Sequence, residues 1–242
     1  MILEVRDLAI GFRTPAGEVV AVDGLSFDVD EGEIFVIIGE SGSGKSLTGM
    51  SITGLQPQTA VTRGSIRFQG RELLGRPDAE LRRVRGREIA MIYQDPLGSL
   101  NPVWPVGDQI AEAITTHGLA GRAEARRRAV EMLARVHIPD PARVAGAYPH
   151  EISGGMRQRA MIAMALACAP KLLIADEPTT ALDVTIKAQM LELIGELRRD
   201  FGLTVILITH DMGVVADVAT RILVMYAGRI AEMGRVDDIM RQ

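Results

Sequence analysis

An apolar run, Ile34-Phe35-Val36-Ile37-Ile38, leads straight into Gly39-Glu40-Ser41-Gly42-Ser43-Gly44-Lys45-Ser46, and Leu47 to Gly54 follows as the start of a helix. Few features restrict a fold as tightly. The run reads as a buried strand, and the order strand, glycine-rich loop, helix is the context a P-loop requires. The glycines let backbone N–H groups turn inward into an anion-binding nest, and the helix N-terminus adds partial positive charge. In that arrangement Lys45 reaches the β- and γ-phosphates of a nucleoside triphosphate, and the Ser46 hydroxyl ligates Mg²⁺. A flexible Gly/Ser turn would need neither the Lys-Ser ending nor the flanking strand. The motif predicts triphosphate binding and says nothing of how the energy is used.

Composition limits the other possibilities. The 242 residues make one large domain or two small ones, and 47% hydrophobic residues can supply a sizeable core. A net charge of −4 leaves no overall basic footprint for nucleic acid, so no nucleic-acid partner is expected. The single cysteine, Cys168, excludes an intramolecular disulfide and lies in an apolar helical run, where it reads as a small buried hydrophobe. The four histidines show no metal-ligand spacing. Glu4, Arg6 and Asp7 interrupt the N-terminus, unlike a secretory leader. The uncharged segment Ala160 to Pro170 is much shorter than the ~20 residues that span a bilayer. The chain is therefore expected to be soluble by itself and to meet a membrane through partner subunits.

Strand-like alternation covers 2–12 and 19–29, with Thr14-Pro15-Ala16-Gly17 as the hairpin loop between them. Gly64 to Gly70 is a further short strand, Ala79 to Arg85 a short basic helix and Glu88 to Tyr93 a strand. After Gln94 the character changes. Asp95-Pro96 and Asn101-Pro102-Val103-Trp104-Pro105 are proline-rich and irregular, and helical patterns follow at 106–116, 122–136 and 142–147. Arg126-Arg127-Arg128 lies on a solvated face balanced by Glu124 and Glu131. Alternation of strand and helix resumes with a strand at 172–175, a long helix at 185–200, a strand at 204–208, a helix at 213–218 and a strand at 222–225. Short apolar strands alternating with helices imply a parallel sheet covered on both faces, with a helical insert over 95–168.

Leu172 to Ala175 ends in Asp176-Glu177-Pro178. Acidic residues at the C-terminal end of such a strand sit where α/β sheets bind ligands. Asp176 is placed to hold Mg²⁺, and Glu177 to polarise an attacking water. Ser153-Gly154-Gly155 opens the apolar helix that runs to Cys168. It is either a second anion site at a helix N-terminus or ordinary capping, and the residue types do not decide between them. Gln94 and His210 each close a strand, where a polar side chain can contact a γ-phosphate.

Taken together, the P-loop, Gln94, the Ser-Gly-Gly motif, Asp176-Glu177, Ala181-Leu182-Asp183 and His210 resemble, in that order, the ATP-binding cassette (ABC) transporter ATPases, over nearly the whole chain. Gly39 to Ser46 is similar to the Walker A motif, Leu172 to Asp176 to Walker B, and Glu177 to the catalytic carboxylate. Gln94 resembles the Q-loop residue, Asp183 the D-loop and His210 the switch histidine. Phe12 resembles the aromatic that stacks on adenine, and equally a strand residue facing the core. The signature departs from Leu-Ser-Gly-Gly-Gln by Ile152 and Met156, while the phosphate-facing Ser153 and Gly155 are kept. Ser-Gly-Gly-Met-Arg-Gln-Arg, Tyr93-Gln94-Asp95-Pro96 and Thr209 to Val215 are similar to the peptide and nickel importer branch.

The resemblance implies an α/β P-loop NTPase cassette with a RecA-like parallel-sheet core, an N-terminal antiparallel β subdomain and an inserted α-helical subdomain. The core would occupy 1–94 and 169–242 and the helical part 95–168. It implies ATP hydrolysis with Lys45, Gln94, Glu177 and His210 in catalysis. Nucleotide would contact Phe12, Gly39, Ser41, Gly42, Ser43, Gly44, Lys45 and Ser46, together with Ser153, Gly154, Gly155 and Asp183. Mg²⁺ would be held by Ser46, Gln94 and Asp176. The partners implied are a second ABC ATPase, more often a paralogue than an identical copy, two transmembrane permease subunits and, indirectly, an extracytoplasmic solute-binding protein. The chain would be peripheral on the cytoplasmic face of the inner membrane, importing di- or oligopeptide, or else nickel. Relatives in this branch continue past the C-terminus, so Gln242 would end a short form or a trimmed chain. Soluble ABC ATPases of DNA repair or translation carry coiled-coil inserts or paired cassettes, and a P-loop kinase would not need Ser-Gly-Gly, Gln94 and His210 together.

Overall fold

The computed structural model describes residues 1–15, 17–93, 99–178, 184–213 and 218–239, and of 184–186 the backbone alone. Gln94, Asp183 and most of the helix expected at 213–218 lie outside the described residues. The chain falls into two compact bodies, one of Met1–Arg82 with Leu197–Gln242, the other of Arg83–Glu196.

In the first body β1 (Leu3–Thr14) and β2 (Gly17–Val29) form the antiparallel hairpin expected, with Thr14 facing Gly17. The other edge of β1 takes β4 (Ala60–Phe68), and β5 (Arg71–Glu72) extends the sheet to four strands. The buried side chains Leu3, Val5, Leu8 and Ile10 line the face of β1 turned to the core. A second set of strands holds the glycine-rich loop. β3 (Ile34–Gly39) runs parallel to β8 (Thr204–Thr209) on one side and to β9 (Arg221–Tyr226) on the other. Its five apolar residues are buried on both faces, which is why they read as a continuous run rather than an alternation. At the edge, β10 (Arg229–Arg235) turns back antiparallel to β9, a strand the sequence pattern does not announce. The turn is two residues long, Ala227 and Gly228, both at positive φ (46° and 80°). That is the twist a two-residue hairpin demands.

Phe27 of β2 stacks on Phe35 of β3 with ring centroids 5.4 Å apart. The Arg221 guanidinium lies 5.3 Å from the Phe35 ring centroid and donates to Asp28 O (3.2 Å) and Glu33 Oε1 (3.4 Å). Burial pushes the Glu33 carboxyl up, and the Asp30 N–H and Arg221 draw it partly back. This cluster fixes the hairpin sheet against β3, and so fixes the start of the strand that ends in the glycine-rich loop.

The second body pairs β6 (Ile89–Ile92) with β7 (Leu172–Asp176) in parallel and surrounds them with helices. These are α3 (Val106–Thr116), α4 (Arg122–Arg135), α5 (Pro141–Gly146), α6 (Gly154–Leu166) and α7 (Val184–Phe201), the last continuing into the first body; α1 (Lys45–Thr53) belongs to the first body, and α2 (Asp78–Val84) begins there and ends in the second. α3 buries Val106, Ile110 and Ile114, and α4 buries Ala125, Ala129 and Leu133, each at the four-residue spacing of one helix face. Arg127 spans Glu124 and Glu131 on the solvated side of α4, as the charge pattern predicts. Cys168 is buried, its thiol pushed up by desolvation and donating to Ala113 O at 3.5 Å. It packs as a hydrophobe.

Glu72 ties β5 to β4. Its carboxylate accepts the Ile66 N–H (2.9 Å), the Leu74 N–H (3.0 Å) and the Ser65 hydroxyl. Burial works to raise its pKa, but those donors and Arg67 outweigh it and hold the carboxyl below the usual range. A depressed folded-state pKa stabilises the fold above the unfolded-state value and loses that contribution as pH falls through the folded one. Glu72→Gln should therefore cost about 1 kcal/mol at pH 7. Urea unfolding of the two proteins should show the difference shrinking below about pH 4.

Candidate functional site

In the first body, Gly39 leaves β3 and the chain loops to Gly44, the N-cap of α1. Gly44 stands at φ 99° with no side-chain cap, and Gly42 at φ 80°. The N–H groups of Lys45 and Ser46 belong to the first helical turn, which no carbonyl of the same helix can satisfy. The Ser43 N–H closes the turn to Glu40 O (3.2 Å), and its hydroxyl is buried with no hydrogen-bond partner. Lys45 is buried, and its ammonium donates to Gly39 O and Glu40 O, both at 2.8 Å. An uncapped helix start, a lysine ammonium held at the same loop and exposed Ser41 and Gly42 make a donor set suited to a polyphosphate.

Two close approaches hold the loop. A Cβ on Gly39 would run into the Met225 carbonyl oxygen of β9. On Gly44 it would lie 2.8 Å from Val22 Cγ2 and 3.0 Å from Ala21 O of β2. The second contact bears on Phe12. Val22 pairs with Ile10, and Phe12 follows two residues later, about 7 Å further along β1. Phe12 is half-buried rather than part of the core. His210 is brought to the same end of the strands. Ile38 pairs with Thr209, so Gly39 and His210 leave neighbouring strands side by side, roughly 4.8 Å apart. His210 is exposed.

The second body carries the acidic pair and the Ser-Gly-Gly motif. Asp176, the last residue of β7, is 4% exposed, and the pairing of Ile92 with Ala175 sets Tyr93 beside it. Glu177 is partly exposed and takes φ 46°, a left-handed conformation that turns the chain off the strand and costs about 1 kcal/mol in a non-glycine residue. Ser153 caps α6, its Oγ accepting the Met156 N–H at 3.3 Å. Ser153 and Gly154 are exposed, and nothing lies within 4 Å of a Cβ built on Gly154 or Gly155. This helix start is an open surface, capped by its own serine.

The profile described as ABC transporter matches residues 22–180. A probable peptide ABC transporter ATP-binding protein of Sinorhizobium fredii is 56% identical over 99% of this chain and 72% of its own length. The oligopeptide transport ATP-binding protein OppD of Bacillus subtilis is 54% identical over 98% of this chain and 67% of its own. The chain belongs to the ABC transporter family. It is an ATP-hydrolysing cassette of that family. A solved dimeric ATP-binding cassette in a post-hydrolysis state, bound to ADP and Pi, superposes with a TM-score of 0.86 at 27% identity, covering 97% of this chain and 99% of that one.

The cassette's own packing adds what the motifs omit. Ala21, Val22 and Met225 carry no chemistry, yet they are the surfaces against which the phosphate loop is set. Only the glycine positions hint at them in the sequence. Gly39→Ala should overpack that contact and lower stability by about 2–3 kcal/mol in thermal unfolding without nucleotide. Gly42→Ala meets open space and bears only left-handed strain, so it should cost about 1 kcal/mol.

Proposed function

We propose that this ATPase is the energy-coupling subunit of an importer for di- or oligopeptides. The observation that carries the reading is likeness along nearly the full chain to two transport ATPases named for peptides, at 54% and 56% identity. It would lie on the cytoplasmic face of the cell membrane and act on two transmembrane permease subunits, with a solute-binding protein delivering cargo. Among the described residues no helix is long and apolar enough to cross a membrane, which suits a peripheral role.

ATP would be held by Lys45 and by the N–H groups from Ser41 to Ser46, with Phe12 against the adenine. Ser46 and Asp176 offer hard oxygen donors fitting Mg²⁺, with Gln94 as a third. The ion would supply charge neutralisation at the phosphates. Glu177 accepts a hydrogen bond from the attacking water and orients it. The water oxygen bonds to the γ-phosphorus as the bond to the β-bridging oxygen breaks, leaving ADP and phosphate. His210, at the C-terminal end of the strand beside Gly39, contacts the γ-phosphate and registers its loss. Ser153, Gly154 and Gly155 of a second cassette close the site from the other side, with Asp183 at the junction. The exposed, pre-capped helix start supports that assignment, because it is free to meet a neighbour. Catalysis is then positioning and electrostatic stabilisation within a closed pair, and hydrolysis releases the pair.

Glu177→Gln should retain ATP binding and lower turnover at least about a hundredfold, a loss of ~2.7 kcal/mol in transition-state stabilisation. The trapped pair should elute as a dimer on size exclusion with ATP, and turnover near the unmutated rate would remove Glu177 from its role. Trp104 is 44% exposed beside Val103 at 73%. Trp104→Ala should weaken assembly with the permease subunits while leaving ATP affinity unchanged, read by co-purification and by nucleotide titration of the isolated chain.

A further inference from the structure

Helix α6 starts with an electrostatic conflict. The positive end of a helix dipole favours carboxylates in the first turn and disfavours cations. α6 has no acidic residue in its first turn, and Arg157 and Arg159 follow close behind it. Arg159 is accounted for, since its guanidinium donates to Val136 O at 2.8 Å. Arg157 is not. Its Nε is buried without a hydrogen-bond partner, and among the described residues no ion pair or hydrogen bond reaches its guanidinium. The next residue repeats the pattern: Gln158 is 1% exposed, and its Oε1 is buried with no partner. Buried polar atoms without partners are scarce in folded chains, because each forfeits its hydration. Two on successive residues of one helix start mark a place that is completed from outside the chain.

Position narrows what completes it. Arg157 stands one helical turn after Ser153, its N–H donating to Ser153 O at 2.9 Å, so its side chain leaves the helix on the serine's side. Helical side chains lean toward the N-terminus, which brings the guanidinium back toward the Ser153–Gly155 end. That end is open, with nothing within 4 Å of a Cβ built on Gly154 or Gly155. Met156 offers no hydrogen-bond donor beside it, only a thioether. A lone cation at a dipole-positive, open helix start selects an anion.

We infer that Arg157 is a nucleotide-binding residue acting across the pair: its guanidinium meets the phosphate chain of the nucleotide held by the second cassette, a contact that Met156 cannot make. The inference rests on the reading in which Ser153, Gly154 and Gly155 close a neighbour's site. Phosphate fits better than a base or a sugar because charge is what this helix start lacks, and a guanidinium pairs with phosphate oxygens through two parallel N–H bonds. In the isolated chain the cation is a cost to stability, offset when the pair closes.

Arg157→Met keeps the apolar stem and removes the charge. Without nucleotide it should raise the midpoint of thermal unfolding by about 2 °C, because a cation leaves the positive end of a dipole. ATP affinity, titrated at concentrations too dilute for pairing, should stay within about twofold of the parent's. ATP-driven dimerisation of the Glu177→Gln form, followed by sedimentation, should weaken about a hundredfold when Arg157→Met is added, tenfold for each of the two contacts in a pair. Arg157→Lys, which keeps the charge and loses the paired donors, should fall between the two. In a crystal structure of the trapped pair the guanidinium should lie within hydrogen-bond distance of a phosphate oxygen. Dimerisation as tight as that of a dimeric Glu177→Gln parent overturns the inference and leaves the paired reading in place. A Glu177→Gln parent that stays monomeric with ATP overturns the paired reading, and the inference falls with it. A lowered unfolding midpoint makes Arg157 a packing residue, a loss of ATP affinity in the dilute chain assigns it to its own chain's site, and a neighbour's carboxylate on the guanidinium assigns it to a protein contact. Each of those three results also overturns the inference.

Discussion

The glycine-rich loop lies where it does because backbone touches backbone. Gly39 rests against the Met225 carbonyl of β9, and Gly44 against Ala21 and Val22 of β2. The first contact lies within one sheet and the second joins the two sheets of the first body, both beside the glycine-rich loop. Neither tolerates a Cβ, so glycine here is a packing requirement as well as a conformational one. The Phe27–Phe35 stack and the Arg221 cluster bear on the other end of β3. Strand β3 is thus gripped at its start by aromatic and ionic contacts and at its finish by close backbone approach. A loop used for electrostatic stabilisation gains from such rigidity, because dipoles already in place need no reorganisation when charge develops.

The candidate residues are divided between the bodies. The first body holds Lys45, Ser46, Phe12 and His210, and the second holds Asp176, Glu177 and Ser153. Phe12 apart, which lies on the antiparallel strand β1, the candidate residues of both bodies stand at the C-terminal ends of parallel strands or at the N-terminal ends of helices. That placement follows from general physics: parallel strands deliver their next residues to one rim, and helix starts present unpaired N–H groups. Register does the fine placement. One pairing, Ile38 with Thr209, sets His210 beside Gly39, and another, Ile92 with Ala175, sets Tyr93 beside Asp176.

What could be read from the sequence had either a period or a motif. The buried run of β3, the β1–β2 hairpin and the faces of α3 and α4 all follow from hydrophobic pattern. Strand β10 does not, because Arg229 to Arg235 is mostly exposed and lacks a clean alternation, and its turn uses Ala227 where Asn or Asp would have signalled one. The helical insert was visible as helices, but β6 and β7 fall in the same compact body as those helices, a grouping set by contacts rather than by local pattern. Gln109 of α3 was invisible for a different reason. A lone glutamine in an apolar stripe looks like a tolerated polar residue until its bonds to Asn101 and Trp104 are seen.

The signature's unusual letters are explained by where its bonds come from. Ile152 is 6% exposed, so this position asks for an apolar side chain of about the right size, which isoleucine supplies as well as leucine. At Met156 the capping bond uses the backbone N–H, which methionine and glutamine share. The Ser153 oxygen accepts that bond and keeps its own proton, since a hydroxyl is donor and acceptor at once. The Met156 N–H is therefore satisfied within the helix start, and Ser153 still has a hydroxyl proton to offer. Methionine at 156 changes what the side chain can reach, while the capping bond, made to the backbone, does not depend on it.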